Sequence, residues 1–296
     1  MRRPTRLPRR SAGTITALLG AVLLLGPTAC SGPAPGAAAP TAAGTGSAAP
    51  VPPTPVTRTM PPDISAMLLP STGADTRWSQ GLDTFSTLTG NAAVRACARA
   101  RGTAEPVTPP AMFFRVMDIP DLPFIQAHGF SGGFAPGESA TGSAGAPGPP
   151  NAEQKQCWEE SKKTVQELKD LYAPLQSQWF SQMASLRHTP DVQAAYQRFN
   201  SCLAEHGVRA KDEDALFAQV DQLTQDGDTA ATTHLGEVYT TCMAPVEAVR
   251  EPVRAKQRED FRAAHAAQIA ALSTSLPQKI HEFEQRYGLQ IAFPTP

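Results

Sequence analysis

The chain has 296 residues, is 41% hydrophobic but only 6% aromatic, and carries a formal net charge of −1. The balance of 26 basic and 27 acidic residues excludes a basic nucleic-acid binder, because a protein that neutralises phosphates needs a positive face. The one apolar stretch that could enter a bilayer lies at the N-terminus, which excludes a polytopic membrane protein.

Residues 1–29 are typical of a bacterial secretory signal. Residues 1–10 contain five Arg and no acid, and an apolar run of eleven residues, Ile15 to Leu25, follows them. This run is too short to cross a bilayer about 30 Å thick as a helix. The sequence therefore predicts an exported protein.

Cys30 is the predicted lipidation site. The segment Pro27-Thr28-Ala29-Cys30 resembles the lipobox of bacterial lipoproteins, in which the Cys thiol is diacylated before cleavage. We expect diacylglyceryl and acyl chains on Cys30 to anchor the protein at the extracytoplasmic face of the membrane. The alternative is ordinary secretion after cleavage near Ala29. Removal of the five Arg changes the net charge from −1 to −6, which should hold the body off an anionic membrane surface.

Composition divides the rest into a tether, residues 30–57, and a helical domain, residues 58–296. Residues 31–56 hold 7 Pro, 8 Ala and 4 Gly without a charge or an aromatic ring. Such a segment is expected to stay extended and to reach up to roughly 80 Å. Residues 129–150 hold 7 Gly and 4 Pro, which predicts a disordered insert within the domain.

Apolar residues at spacings of three and four predict an all-α body. The predicted helices span residues 152–187, 190–207, 212–223 and 232–287. Asn151 and Gln154 form a capping-box pattern before the first of these helices. Pro245, Pro252 and Pro277 are expected to break the long C-terminal region into segments.

An internal repeat involves four of the five cysteines. Cys97–Gly102 (C-A-R-A-R-G) and Cys202–Gly207 (C-L-A-E-H-G) each place a Cys in the last turn of a helix that a Gly ends. Cys157 follows the first and Cys242 the second, each on a longer helix. The predicted fold is an irregular helical bundle of two related helix–loop–helix halves with a long C-terminal helix. The halves span about 75–187 and 189–292.

Four cysteines in an exported protein indicate two disulfides, with three available connectivities. An antiparallel helical hairpin brings the end of one helix beside the start of the next, which suits Cys97–Cys157 well. Cys202–Cys242 fits less neatly, because Cys242 lies a few turns into its helix, but we expect this pair as well. A zinc site is the alternative, but the chain has no C-x-x-C motif and the compartment is oxidising. We therefore expect no metal.

These features resemble a known group of proteins. The order is a C-x4-G helix end, a linker, a Cys opening a long Trp-containing helix, and the segment T-P-D-V-Q-A-A-Y-x-x-F-N-S-C-L-A-E-H-G. The last element of this order is a Cys in a long C-terminal helix. This order is similar to uncharacterised actinobacterial secreted and lipid-anchored helical proteins with four paired cysteines, over most of residues 75–287. The resemblance implies no established activity.

An apolar stretch, residues 113–134, lies inside a loop. It is expected to pack as core; if exposed, it would form a ligand or partner patch. The candidate patch residues are Phe113, Phe114, Phe124, Phe130 and His265. His265 lies on the apolar stripe of the last helix, which favours a buried histidine over a ligand-binding one.

The sequence predicts no catalytic residue and no cofactor. Gly129–Gly133 matches G-x-S-x-G, but Ser131 lacks the strand and helix that a nucleophile elbow requires. Arg250 to Arg262 hold eight charged residues in thirteen, typical of a solvated helix face, with a partner-helix surface as the alternative.

Three functions remain in order of preference. The first is a non-catalytic envelope lipoprotein that contacts another envelope or transport protein. The second is a small-molecule or metal-binding lipoprotein with a pocket between the two halves, near the loop at residues 113–134. The third is a hydrolase that uses Ser131.

Overall fold

The computed structural model describes residues 54–113, 119–130, 133–138 and 150–295. Over these residues the chain folds into eight α-helices and four two-residue strands. The helices are α1 (Ser65–Leu68), α2 (Gly73–Ala100), α3 (Leu122–His128), α4 (Ala152–Ala184), α5 (Pro190–Glu205), α6 (Glu213–Gln225), α7 (Thr229–Ala264) and α8 (Ala266–Tyr287). The strands form two antiparallel pairs, β1 (Val56–Thr57) with β4 (Phe293–Pro294) and β2 (Met112–Phe113) with β3 (Gly133–Phe134). The predicted all-α fold class is confirmed.

Side-chain caps set the starts of the main helices. At α4, Asn151 Oδ1 accepts from the backbone N–H of Gln154 at 2.8 Å, and Gln154 Oε1 accepts from the N–H of Asn151 at 2.9 Å. This confirms the predicted capping box. Thr72 and Asp75 form the same box at the start of α2, whereas α5 has no side-chain cap and begins with Pro190.

The prolines do not divide the C-terminal helical region, so that prediction is wrong. α7 continues through Pro245 and Pro252, and α8 continues through Pro277. An interior proline costs about 3 kcal/mol through a lost hydrogen bond and a clash. Burial of neighbouring residues such as Val246 offsets this cost. The break lies instead at His265, where φ is −112° and ψ is 20°.

The two halves each have a hydrophobic core. In the first, α2 and α4 pack with α1 and α8. Its largest buried side chains include Phe85, Tyr172, Trp179, Phe283 and Phe293. In the second, α5 and α7 pack with α3 and α6. Its buried side chains include Phe130, Phe199, Leu203, Tyr239 and Met243. The cores therefore exchange elements of the predicted halves: α8 of the second half packs in the first core, and α3 of the first half packs in the second core.

Each half is closed by one disulfide. Cys97 at the end of α2 bonds to Cys157 of α4, and Cys202 at the end of α5 bonds to Cys242 of α7. The Cα atoms are 5.5 Å apart in both pairs, within the usual range for a disulfide. The predicted connectivity is confirmed. For loops of 60 and 40 residues, chain entropy alone gives each bond about 4 kcal/mol of stabilisation.

The folded body begins before the predicted boundary at residue 58. Val56 and Thr57 form β1 and pair with β4, so they belong to the body and not to the tether. Residues 1–53, with the predicted signal and Cys30, lie outside the described residues. None of the helices in the described ranges has the length and apolar character needed to cross a bilayer.

Part of the predicted disordered insert is also packed. Phe130 and Ala135 are buried, and a Cβ added at Gly129 would lie 2.9 Å from the Cα of Thr233 in α7. Glycine is required at position 129 for this close approach and for its φ of +66°. The glycine-rich composition at this point therefore reflects tight packing. Residues 139–149 of the insert lie outside the described residues.

Candidate functional site

A surface depression of about 300 Å³ lies between α5, the start of α6 and the turn that precedes α5. We call it the α5–α6 depression. It is lined by Arg187, Gln193, Tyr196, Gln197, Asn200, Asp212, Glu213 and Asp214. Asp212 caps α6 by accepting from the backbone N–H of Ala215 at 2.8 Å, which fixes Glu213 as the first residue of that helix. Polar groups therefore line a depression large enough for a small ligand.

Glu213 occupies the inner wall of this depression and is only 7% exposed. Its two carboxylate oxygens accept hydrogen bonds from Tyr196 Oη at 2.6 Å and from Tyr239 Oη at 2.9 Å. Arg250 Nη1 lies 4.0 Å from Glu213 Oε2. A buried carboxylate is thus held by two phenols and one guanidinium from α5 and α7.

The environment shifts the pKa of all three hydrogen-bonded groups. Burial raises the pKa of Glu213, and the bonds from Tyr196, the charge of Arg250 and the bond from Tyr239 oppose this shift. Burial and the negative charge of Glu213 raise the pKa of Tyr196 and of Tyr239. Both phenols therefore remain protonated and act as donors at neutral pH.

Glu213 belongs to a larger group that we call the buried ionic cluster. Its members are Tyr196, Glu213, Tyr239, Glu247, Arg250 and Arg254. Arg250 Nε donates to Glu247 Oε1 at 2.6 Å, and Arg254 Nη2 forms an ion pair with Glu247 Oε2. The two arginines and two glutamates balance in charge, as buried ions must.

The buried ionic cluster joins the second half to the first. Arg254 is 1% exposed, and its Nε donates to the carbonyl of Ser71 at 2.9 Å. One turn later, Arg258 Nη1 lies 2.9 Å from Asp75 Oδ2 and 3.1 Å from Ser71 Oγ. Through these contacts α7 holds the segment between α1 and α2.

The expectation of a solvated face at residues 250–262 is therefore wrong for Arg250 and Arg254, because paired acids accompany them into the interior. The spacing of these charged residues along the sequence already indicated their burial. Glu247, Arg250 and Arg254 recur at three and four residues, in line with buried Val246 and Phe261. Charged residues that continue an apolar stripe indicate buried pairs.

The phenylalanines of the apolar loop that the structure describes do not form an exposed patch. Phe113, Phe124 and Phe130 are all less than a tenth exposed, so they belong to the core, and the patch hypothesis fails for them. Phe130 packs edge-on against Tyr239 with ring centroids 5.2 Å apart. Phe114 lies outside the described residues. None of the residues that line the α5–α6 depression comes from this loop, where the sequence placed a pocket.

His265 lies at the end of the apolar stripe of α7, close to Phe261. His265 is half-buried at the junction of α7 and α8, where its ring stacks on Phe261 with centroids 4.1 Å apart. Packing of the imidazole against Phe261 explains its place on the apolar stripe. Ser131 lies outside the described residues.

Cys202, His206 and Cys242 bring their ligand atoms within 4.8 Å of one another, as a metal site would require. Both sulfurs are joined in the disulfide of the second half. The disulfide occupies both sulfurs, so in the oxidised chain neither is available as a thiolate ligand.

Comparison of the chain with protein-family models, with curated proteins and with solved structures found no match.

Proposed function

We propose that this chain is a membrane-anchored, extracytoplasmic lipoprotein whose helical body acts as a non-catalytic interaction or accessory module for another envelope or transport protein. The observation that carries the proposal is the closure of both cysteine pairs. Disulfides of this kind form and persist in oxidising compartments outside the cytoplasm. The pairing leaves Cys30 as the fifth cysteine of the chain, at the end of the signal-like segment.

The chemistry of the body supports a binding role. The two disulfides and the buried ionic cluster connect α2, α4, α5 and α7, so the helices hold fixed relative positions. A rigid surface loses little conformational entropy when it binds a partner. The resemblance to secreted and lipid-anchored helical proteins agrees with this assignment.

A small-molecule-binding lipoprotein is the second candidate, and the α5–α6 depression favours it. Its lining combines one guanidinium, three carboxylates, and amide and phenol groups. Such a surface suits a small polar ligand that makes several hydrogen bonds. Glu213, held by two phenols, would supply a fixed acceptor on its inner wall.

Lipidation is tested by expressing the full chain in an actinobacterial host supplied with an alkyne fatty acid. The parent should carry the label and sediment with membranes, whereas Cys30→Ser should lose the label and enter the medium. Ser31→Ala, which changes the adjacent residue, is the matched control and should behave as the parent. Retention of Cys30→Ser at the membrane would refute the anchor.

The second candidate is tested by thermal denaturation of the full chain against a panel of small polar compounds. A compound bound in the α5–α6 depression should raise Tm, and Asn200→Leu should reduce the rise because it replaces an amide of the lining by an apolar group of the same size. Gln219→Leu, which lies outside that depression, should preserve it. A compound that raises Tm equally in both variants binds elsewhere and contradicts the candidate.

A further inference from the structure

The end of α5 carries a cysteine and a histidine one turn apart. Cys202 and His206 are four residues apart, so their side chains lie on one face of the helix end. Cys242 approaches them from α7, and the three ligand atoms lie within 4.8 Å of one another. In the described parts of the chain, no other three His, Cys, Asp or Glu side chains come together in this way.

The surroundings of the two disulfides differ. Cys97 Sγ lies 3.3 Å from a carboxylate oxygen of Glu160, and Arg101 pairs with that same side chain. The disulfide of the second half has instead an imidazole beside it. Thiolate and imidazole are the ligands that Zn²⁺ and related thiophilic cations prefer.

The Cys202 end of this group can be reached from solvent. Cys202 is partly exposed and His206 is exposed, whereas Cys242 is buried. His206 also lines a depression of about 400 Å³, together with residues of α6 and α7 such as His234. A reductant and a cation can both approach from this side.

We propose that reduction of the Cys202–Cys242 disulfide converts this group into a binding site for a thiophilic divalent cation, with His206 as the third ligand. A dithiol protein would supply two electrons and two protons, yielding two thiols while its own sulfurs form a disulfide. Binding of M²⁺ then displaces both thiol protons and gives a neutral bis-thiolate–imidazole complex.

The required movement is small. On a tetrahedral zinc with Zn–S bonds of about 2.3 Å, two thiolates lie roughly 3.8 Å apart. The Cys202 and Cys242 side chains can separate to this spacing by rotation once the covalent bond is gone, since their Cα atoms are 5.5 Å apart. Three protein ligands leave the fourth position for water from the adjacent depression.

His234 provides the matched control within the same depression. It precedes Cys242 by eight residues of α7, or about 12 Å along the helix axis. This separation is too large for the imidazole to reach a cation held by Cys242. His234 and His206 are both exposed, so removal of either should leave the fold intact.

The experiment measures Zn²⁺ affinity by competition with a chromophoric chelator. The full chain carries Cys30→Ser, which removes an unrelated thiol, and is treated anaerobically with a phosphine reductant that is then removed. We expect one Zn²⁺ per reduced chain and none per oxidised chain. His206→Ala should weaken binding at least about tenfold, since even outer-shell partners of a metal contribute tenfold or more. His234→Ala should have no effect.

Two results would overturn the proposal. One is that the reduced parent and reduced His206→Ala bind Zn²⁺ with equal affinity. The other is that the reduced Cys202→Ala/Cys242→Ala variant binds Zn²⁺ as tightly as the reduced parent. If reduction unfolds the chain, far-ultraviolet circular dichroism measures whether Zn²⁺ restores its helix content. Zn²⁺ should then restore helical signal in the parent but not in His206→Ala, and failure to restore it in the parent also refutes the site.

Discussion

Removal of Glu247 should destabilise the protein far more than removal of another glutamate on the same helix. Glu247 is 6% exposed and pairs with both Arg250 and Arg254, which are themselves 3% and 1% exposed. Glu247→Ala leaves two buried guanidinium groups without their shared acid. Breaking a buried ion pair from one side costs about 3–5 kcal/mol.

The matched control is Glu251→Ala, one turn along α7, where the side chain is exposed. A surface substitution of this kind should change stability by no more than about 0.5 kcal/mol. The assay is urea denaturation of the full chain carrying Cys30→Ser, followed by circular dichroism. For a body of this size, the loss at Glu247 corresponds to a fall in Tm of roughly 6–20 °C.

A double variant separates the contribution of charge pairing to the free energy of unfolding from the contribution of packing. Glu247→Met/Arg254→Met replaces a buried pair by apolar groups of similar length, and should recover part of the stability that Glu247→Ala loses. Equal free energies of unfolding for Glu247→Ala and Glu251→Ala would refute the assignment of Glu247 as the centre of the buried ionic cluster.

Three further predictions follow from the same structure. Because burial raises the pKa of Glu213 above its ordinary 4.5, the folded state binds this proton more tightly than the unfolded state. The free energy of unfolding of the parent relative to Glu213→Gln should therefore fall as pH rises above 4.5, and it should level off beyond the raised pKa. Urea titrations of both proteins from acid to neutral pH measure this difference. A difference that does not change with pH would show that Glu213 is not desolvated. Cys202→Ala/Cys242→Ala should lower the free energy of unfolding by about 4 kcal/mol under oxidising conditions, and parental stability would contradict the chain-entropy argument. Gly236→Ala should cost about 1–3 kcal/mol in chemical denaturation despite the higher helix propensity of Ala, because its Cβ would lie 2.8 Å from the Cα of Gly129; a stabilised variant would show that α3 and α7 are not in close contact.

Features that depend on neighbouring residues were predictable from the sequence. The capping box of Asn151 and Gln154 and the proline at the start of α5 act within one helical turn, so their patterns are complete in the chain itself. The repeated C-x4-G motif marks the two helix ends, and Cys157 lies near the start of α4, so the hairpin argument suited the first cysteine pair. It suited the second pair less well, because Cys242 lies several turns into α7 and α6 intervenes.

Features that depend on distant residues were not predictable in the same way. The local spacing of Glu247, Arg250 and Arg254 indicated the pairing within α7, but the contact of Arg254 with the carbonyl of Ser71 lies 183 residues away and left no sequence signal. The prolines were expected to end helices because propensity counts local cost and omits the packing of α7 and α8. Glu213 carried no sequence signal, since its two phenol donors come from α5 and α7.

The short pairing of β1 with β4 determines where attachments to this protein can be placed. The backbone N–H of Thr295 donates to the carbonyl of Pro55 at 2.9 Å, so the chain enters its folded body beside residues 293–295. A fluorophore or affinity tag fused to the C-terminus will therefore sit where residues 1–53 join the body. Labels meant to report on α5, α6 or the cation site are better introduced as single side-chain substitutions on exposed positions of those helices.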